Sequence, residues 1–233
     1  MSISQATIFT FYYQPYFRAK DLSLTGFEAL VRIVDKDGKV YTPGAFIDYL
    51  ENSEYLLDFE QWVLNKVKEV AERWKIRIVF NLSAKTLSDL ELIESISLPS
   101  NVVLEITERL FASVREKDLN HLRRLKNLYR FMVAIDDFGT GYSSLSYLAN
   151  LPIDVVKIDM SFVKLIVNDY KVRAIVETVI SMCKKLGLET IGEGVEREEE
   201  LKLLQEMGCT YVQGYLLGKP MPEEEAYKLL IQK

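Results

Sequence analysis

Apolar residues recur along this chain in eight short runs, and each run carries an acidic, amide or lysine residue at or just past its end. The runs are Tyr12-Tyr13-Gln14-Pro15, Gly26-Phe27-Glu28-Ala29-Leu30, Ile78-Val79-Phe80-Asn81, Val102-Val103-Leu104-Glu105, Met132-Val133-Ala134-Ile135-Asp136-Asp137, Val155-Val156-Lys157-Ile158-Asp159, Thr190-Ile191-Gly192-Glu193 and Tyr211-Val212-Gln213. Their brevity and β-branched content predict strands buried on both faces, as in a parallel sheet.

Between the runs the apolar spacing becomes helical. Thr42-Pro43-Gly44-Ala45-Phe46 opens a short helix, and Asp58 to Trp74 places Phe59, Val63, Val67, Val70 and Trp74 on one face. Leu119, Leu122, Leu125 and Leu128 repeat within Asp118 to Tyr129. Val172, Ile175, Val176, Val179, Ile180, Cys183 and Leu186 form a further stripe that Gly187 ends. Arg197 to Met207 turns Leu201 and Leu204 inward and closes on Gly208, and Glu223 to Leu230 forms the last helix. Strands alternating with helices at this rhythm predict a parallel α/β sheet, and eight of them predict a closed barrel.

One connection breaks the alternation. Between Tyr16 and Gly26 the chain is too short for a crossover helix, which needs roughly a dozen residues, and Lys20-Asp21-Leu22-Ser23 has turn character. The expected fold is therefore α/β, a modified TIM (βα)8 barrel with the first strand antiparallel. No linker or low-complexity tract divides the chain, so residues 1–233 are expected to form a single domain.

The polar residue of each run has no packing reason to stand in a core strand. Burying one unpaired carboxylate costs several kcal/mol, so carboxylates at equivalent positions are expected to line a shared polar mouth. An eightfold βα barrel has its functional groups where strands end and loops begin. The competing reading takes them as unrelated turn residues.

Bulk composition narrows the chemistry. The 233 residues suit one α/β barrel, and 48% hydrophobic with 27% charged residues is ordinary for a soluble globular chain. No apolar run approaches the roughly 18 residues of a membrane helix, and Met1 to Gln5 lacks the basic start of a secretory signal, so a cytoplasmic protein without membrane contact is expected. The net charge of −5 argues against polymeric nucleic acid as partner. Cys183 and Cys209 read as reduced core thiols. The single histidine, His121, lies in a charged stretch read as an exposed helix, which removes most support for histidine-centred zinc or Ser/His chemistry.

Glu28, Glu105, Asp136, Asp137 and Glu193 would converge with the amide of Asn81. Two carboxylates about 4 Å apart repel by about 4 kcal/mol at an effective dielectric near 20, so such a cluster must protonate, splay or bind cations. Oxygen ligands without His or Cys favour Mg²⁺ or Mn²⁺ over Zn²⁺. A carboxylate at the Asp136-Asp137 corner, where Phe138-Gly139-Thr140-Gly141 begins a loop, suits bridging of two ions, which together can activate water and neutralise a phosphodiester. Lys157 would hold the attacking water or the developing phosphorane charge, or would serve only as a counter-ion.

The ordered set of motifs resembles the EAL domain, the bacterial phosphodiesterase of cyclic di-GMP. It comprises Tyr13-Gln14-Pro15, Phe27-Glu28-Ala29-Leu30-Val31-Arg32, Phe80-Asn81-Leu82-Ser83, Leu104-Glu105-Ile106-Thr107-Glu108, Asp136 to Ser144, Leu151-Pro152, Lys157-Ile158-Asp159, Glu193-Gly194-Val195-Glu196, and Gln213-Gly214-Tyr215 with Pro220. The resemblance covers nearly the whole chain. It implies a modified barrel with an antiparallel first strand and two divalent cations, Mg²⁺ or Mn²⁺. The metal ligands it implies are Glu28, Asn81, Glu105 and Asp136, with Asp137 helping to hold the second ion. By the same resemblance Lys157 positions water and Glu193 is a metal-site residue and a candidate general base, the identity of the base staying open. Gln14, Leu30, Arg32, Asp159 and Gln213 match dinucleotide-contacting positions, and a guanidinium at Arg32 can engage phosphate in bidentate fashion.

Glu108 and the loop from Phe138 through Gly139, Thr140 and Gly141 to Ser144 match a regulatory element that couples dimerisation to metal occupancy, so a homodimer is expected. Glu196 is either loop support or helix N-terminal charge. Departures from the family pattern lie away from the chemistry: Ile33 where an aromatic is frequent, Asp35-Lys36-Asp37-Gly38 in place of a loop usually containing His-Pro, and Gly192 where alanine is common. The activity implied is hydrolysis of cyclic di-GMP to linear 5'-pGpG. The alternatives are a catalytically weak cyclic di-GMP receptor or interaction module, and an enolase-like proton abstraction that Asn81, the aspartate doublet and Gln14-Pro15 fit poorly.

Overall fold

The structure, a computed structural model, describes residues 8–83, 86–87, 90–139, 148 and 151–232. The expected strands are all present: β1 (Ile8–Arg18), β2 (Leu24–Val34), β4 (Arg77–Asn81), β5 (Val102–Thr107), β6 (Met132–Phe138), β7 (Val155–Ile158), β8 (Glu189–Gly192) and β9 (Tyr211–Gln213). They close into a ring in the order β1-β2-β4-β5-β6-β7-β8-β9, with β9 returning to β1. Two two-residue strands that the pattern did not announce, β3 (Val40–Tyr41) and β10 (Met221–Pro222), pair with β2 and β1 outside the ring.

β1 is antiparallel to both its ring neighbours, β2 and β9, and the remaining ring pairings are parallel. The cause is the connection expected from its length. Arg18 N–H reaches Ser23 O at 2.9 Å, Leu22 takes φ +55°, and Asp21 Oδ1 accepts from Ser23 N at 3.0 Å, so five residues reverse the chain. The fold is the α/β modified TIM (βα)8 barrel.

Inside the ring a plug of apolar side chains fills the lower part: Tyr16, Val79, Val103, Ala134, Val155, Ile191 and Tyr211. Below it Arg77, Glu189 and Tyr211 close the floor, with Arg77 Nη1 2.7 Å from Glu189 Oε2 and Tyr211 Oη 2.8 Å from Glu189 Oε1. Gly26 is needed at this level, because a Cβ there would lie 2.4 Å from Arg77 O and 2.7 Å from the Tyr16 ring. The larger core lies between the ring and its helices, where Val63, Val67, Val70 and Trp74 of the helix Leu56–Trp74 pack on Phe27, Ile78 and Phe80.

The helical stripes hold with two corrections. Leu119, Leu122 and Leu125 are buried but Leu128 is 61% exposed, because three-residue spacing drifts off the buried face of a helix that turns every 3.6 residues. For the same reason Ile175 and Leu186 face outward, while Val176, Ile180 and Cys183 are buried. Gly187 and Gly208 end their helices with φ +73° and +81°, as expected of C-caps. His121 is half-buried rather than solvated, 3.4 Å from Glu94 Oε2, with no part in the barrel mouth.

Gly26→Ala is expected to lower stability by about 2 kcal/mol or more, since the nearest obstacle is the backbone of β4 rather than a yielding side chain. Urea denaturation with an unchanged midpoint would contradict the packing described.

Candidate active site

Side chains two apart on a strand share a face, so the apolar plug dictates what stands above it. Two residues beyond Val79, Val103, Ala134, Val155, Ile191 and Tyr211 come Asn81, Glu105, Asp136, Lys157, Glu193 and Gln213. On β2 the same step leads from Gly26 to Glu28. On β1, which runs the opposite way, it leads back from Tyr16 to Gln14, and Gln14 stands opposite Glu28 in the ladder. One polar tier from all eight ring strands thus sits on one apolar tier.

Lys157, only 2% exposed, occupies the centre. Its Nζ lies 2.7 Å from Glu105 Oε1, 2.7 Å from Glu193 Oε1, 3.3 Å from Asp136 Oδ1 and 3.7 Å from Glu28 Oε2. Gln213 Nε2 donates to the same Glu28 oxygen at 2.8 Å. Gln213 is therefore a buried neighbour of Glu28 as well as a match to a dinucleotide-contacting position.

Four carboxylates against one ammonium leave a formal charge of −3 if all are ionised. The protonation equilibria respond. Burial, opposed by Lys157 and reinforced by Asp136 and Glu28, pushes Glu193 up to about 8. Burial also raises Glu105 well above the usual carboxylate range against the pull of Lys157. Asp136 goes the other way, because Lys157 and neighbouring hydrogen bonds outweigh its burial. Lys157 stays firmly protonated: burial works against the charge, but Glu105, Glu193, Glu28 and Asp136 more than offset it.

Asp137 joins the same mouth through a backbone irregularity. The β6–β7 register slips between Ile135 and Phe138, and Asp137 adopts φ +54°, a left-handed conformation that non-glycine residues seldom take. This turn frees Asp137 from strand alternation, and burial with the charges of Asp136 and Asp159 raises its carboxyl. The next residues lead into the loop. Glu108, buried beneath it, accepts from Gly139 N–H at 3.0 Å, and Phe138 is buried beside it. Gly139, at φ +100°, lies against the Phe162 ring. Thr140 and Gly141 lie outside the described residues.

The remaining expected residues ring the mouth at varying distance. Leu30 and Arg32 follow Glu28 at two-residue steps, opposite Tyr12 and Thr10 of β1. Arg32 Nη1 donates to Val31 O at 2.8 Å, and its partial burial lowers its pKa against the charges of Glu28, Tyr215 and Tyr12. Gln14 Nε2 donates to Gly218 O at 3.2 Å. Asp159 caps the short helix Met160–Val163 by accepting from Ser161 N at 2.9 Å. Glu196 reaches neither Glu108 nor the cluster. It pairs with Lys164 at 3.2 Å, and its N–H donates to Glu200, so it belongs to the turn entering the helix Glu198–Met207.

Tyr12 and Tyr215, close enough to influence Arg32, were not singled out from sequence. For Tyr12 the signal was available in its two-residue spacing from Gln14.

The donor set suits hard divalent cations. Glu105 Oε2 is fully buried and takes no hydrogen bond, and Asp136 Oδ1, equally buried, has only the 3.3 Å ion contact with Lys157, an expense that a shared proton or a further cation would relieve. Among the described residues no three acidic, His or Cys side chains already form a coordination shell, because the Lys157 ammonium draws the carboxylates onto itself.

Comparison with known proteins gives a consistent answer. The EAL domain family model matches residues 2–220. Cyclic di-GMP phosphodiesterase PdeB of Shewanella oneidensis is 35% identical over 208 residues, covering 84% of this chain and 24% of that protein. The solved structure of the MucR phosphodiesterase of Pseudomonas aeruginosa, a c-di-GMP complex, matches with a TM-score of 0.85 at 34% identity and covers 94% of each chain. Klebsiella pneumoniae BlrP1, solved as a manganese/cy-diGMP complex, matches with a TM-score of 0.78 at 26% identity, over 91% of this chain and 56% of that one. Three further curated relatives show the same disparity of length, the chain spanning 30%, 32% and 27% of them. No described helix is long and apolar enough to cross a membrane.

The raised Glu193 carboxyl makes stability depend on pH. A group that holds its proton more tightly when folded contributes most below its unfolded value of 4.5 and loses that contribution as pH climbs through about 8. Glu105 acts in the same direction. Chelator-treated protein is therefore expected to lose a few kcal/mol between pH 5 and pH 9, and Glu193→Gln to flatten that slope. A urea midpoint that holds constant or rises across the range contradicts the arrangement.

Proposed function

The chain belongs to the EAL domain family, and we propose that residues 1–233 act as one such domain, a metal-dependent phosphodiesterase that opens one phosphodiester of cyclic di-GMP to linear 5'-pGpG. The observation that carries this reading is the polar tier around Lys157, where every oxygen donor expected of a two-cation site stands on a neighbouring ring strand. The cyclic di-GMP complexes of MucR and BlrP1 support the ligand, and the manganese in the BlrP1 complex supports the cation class. A cytoplasmic location is part of this reading, and two reduced, buried thiols are compatible with it. The homodimer is carried over from the family resemblance.

In this reading Glu28, Asn81, Glu105 and Asp136, with Asp137 at the second position, hold two divalent cations, Mg²⁺ or Mn²⁺. When bound, these ions lower the pKa of a coordinated water and neutralise the phosphodiester. Arg32 engages the non-reacting phosphate, while Gln14, Leu30, Asp159 and Gln213 line the dinucleotide. Lys157 holds the attacking water at Nζ and later faces the charge that gathers on phosphorus. Glu193, largely buried beside Lys157, is the candidate acceptor of the water's proton as the water oxygen bonds to phosphorus and the bond from phosphorus to the 3'-oxygen breaks; the departing 3'-oxygen takes its proton from solvent, to which Glu193 releases the one it accepted. The apolar plug beneath the tier keeps bulk water from its lower side. Glu108 holds the backbone of Gly139 just after Asp137, and Glu196 braces the turn behind Glu193.

The second reading is a catalytically weak cyclic di-GMP receptor or interaction module, supported by FimX of Pseudomonas aeruginosa, whose EAL domain was solved bound to c-di-GMP. Chromatography after incubation with cyclic di-GMP and Mn²⁺ separates the two. Linear 5'-pGpG is expected, absent with chelator and in Glu28→Ala, whereas intact bound ligand in all samples establishes the receptor.

Lys157→Ala is expected to lower kcat at least 100-fold with the cyclic di-GMP Kd nearly unchanged, and equal losses in both contradict its assigned role. Gln213→Ala releases the Glu28 carboxylate and is expected to weaken Mn²⁺ binding roughly tenfold by calorimetry. Unaltered Mn²⁺ affinity would remove Gln213 from the support of Glu28.

A further inference from the structure

Behind the mouth, between the outer face of β2 and β4 and the helices Ile47–Glu51 and Leu56–Trp74, lies a cavity of about 310 Å³. It is unlike the polar tier. Four phenylalanines, Phe11, Phe46, Phe59 and Phe80, stand in its wall with aliphatic neighbours, and among the described residues one carboxylate, Glu60, enters it beside Ser83 and Thr86. Glu60 is 6% exposed and belongs to the helix Leu56–Trp74. Ser83 Oγ donates to its Oε1 and Thr86 Oγ1 to its Oε2.

A carboxylate offers about four acceptor sites, so two hydroxyls leave roughly half of them for another donor. An apolar wall offers water few partners, and empty space of this size forfeits the dispersion that close packing supplies. Ligand sites begin at about 300 Å³ and are walled mostly by aromatic and aliphatic side chains, with a few convergent polar groups. We propose that this cavity is a second binding site, for a small aromatic molecule carrying one hydrogen-bond donor, its ring among the phenylalanines and its donor on Glu60. The site is distinct from the dinucleotide mouth, though Leu30 and Asn81 stand at the boundary of both.

Indole and 1-methylindole probe it directly, since the second replaces the N–H donor with N–CH3, and 3-methylindole, which adds the same methyl but keeps the donor, controls for size. Saturation-transfer NMR and calorimetry on the whole chain are expected to show indole bound, 1-methylindole at least fivefold weaker, and indole binding abolished in Val63→Phe, which fills the cavity from the helix. Glu28→Ala, which tests the phosphodiesterase reading, is expected to leave indole binding intact, so the two readings fail separately. Equal affinity for indole and 1-methylindole, or an equal loss with 3-methylindole, overturns the donor contact with Glu60. No indole binding up to its solubility, or binding that survives in a folded Val63→Phe, overturns the site. If Val63→Phe does not fold, the comparison of the probes on the unaltered chain decides alone.

Discussion

Four carboxylates share one buried ammonium, and the rest of the molecule serves to make that tolerable. A lysine and a carboxylate in contact attract strongly in a poorly solvated site, but one cation does not balance four anions, and desolvation penalises every ion present. The tier answers with unequal protonation. Glu105 and Glu193 move up while Asp136 stays ionised beside Lys157. Groups whose environments drive their affinities for protons apart are the ones able to give and take protons near neutrality. The same excess of negative charge creates the demand for divalent cations.

Barrel closure is what permits the cluster. A flat sheet would spread these residues over several strand spacings of nearly 5 Å, whereas a ring folds them onto a common axis. The two-residue period of a strand then links each polar group to a specific apolar one below it. Slipping β2 by one residue would put Phe27 or Ala29 in the mouth and turn Glu28 toward the helices. The Tyr16–Gly26 pair shows how tightly the lower tier is fitted, since even one methyl group at Gly26 meets the backbone of β4. The reversed first strand keeps the pattern, because alternation works equally well read in either direction, and Gln14 therefore meets Glu28.

The mouth is also tied to its surroundings at particular residues. Glu108 grips the backbone of Gly139 immediately after the left-handed turn at Asp137, so the second aspartate and Gly139 are placed by one local geometry. Glu60 secures the segment following Asn81 through Ser83 and Thr86. Gln213 orients Glu28 from the opposite side of the ring. Ligands of a metal site gain their precision from such neighbours, which hold the rotamers that the charges alone would leave mobile.

Much of this was legible from residue order alone. The eight apolar runs, their terminal polar groups, the short Tyr16 to Gly26 connection and the glycine helix ends are local features, and local features survive in a linear string. Strand periodicity and connection length dictated a closed barrel with one reversed strand, and the oxygen-rich, histidine-poor inventory is the basis on which hard divalent cations are proposed. What the chain order could not express is distance between strands. That Lys157 reaches both Glu105 and Glu193 at 2.7 Å, that Gln213 supports Glu28, and that Glu196 turns away to Lys164 are facts of closure. The outward-facing Leu128 and Ile175 make the same point for helices, since only packing against the ring decides which edge of an apolar stripe meets solvent. Periodicity belongs to the backbone and is written residue by residue; convergence belongs to the ring and exists only once its ends have met.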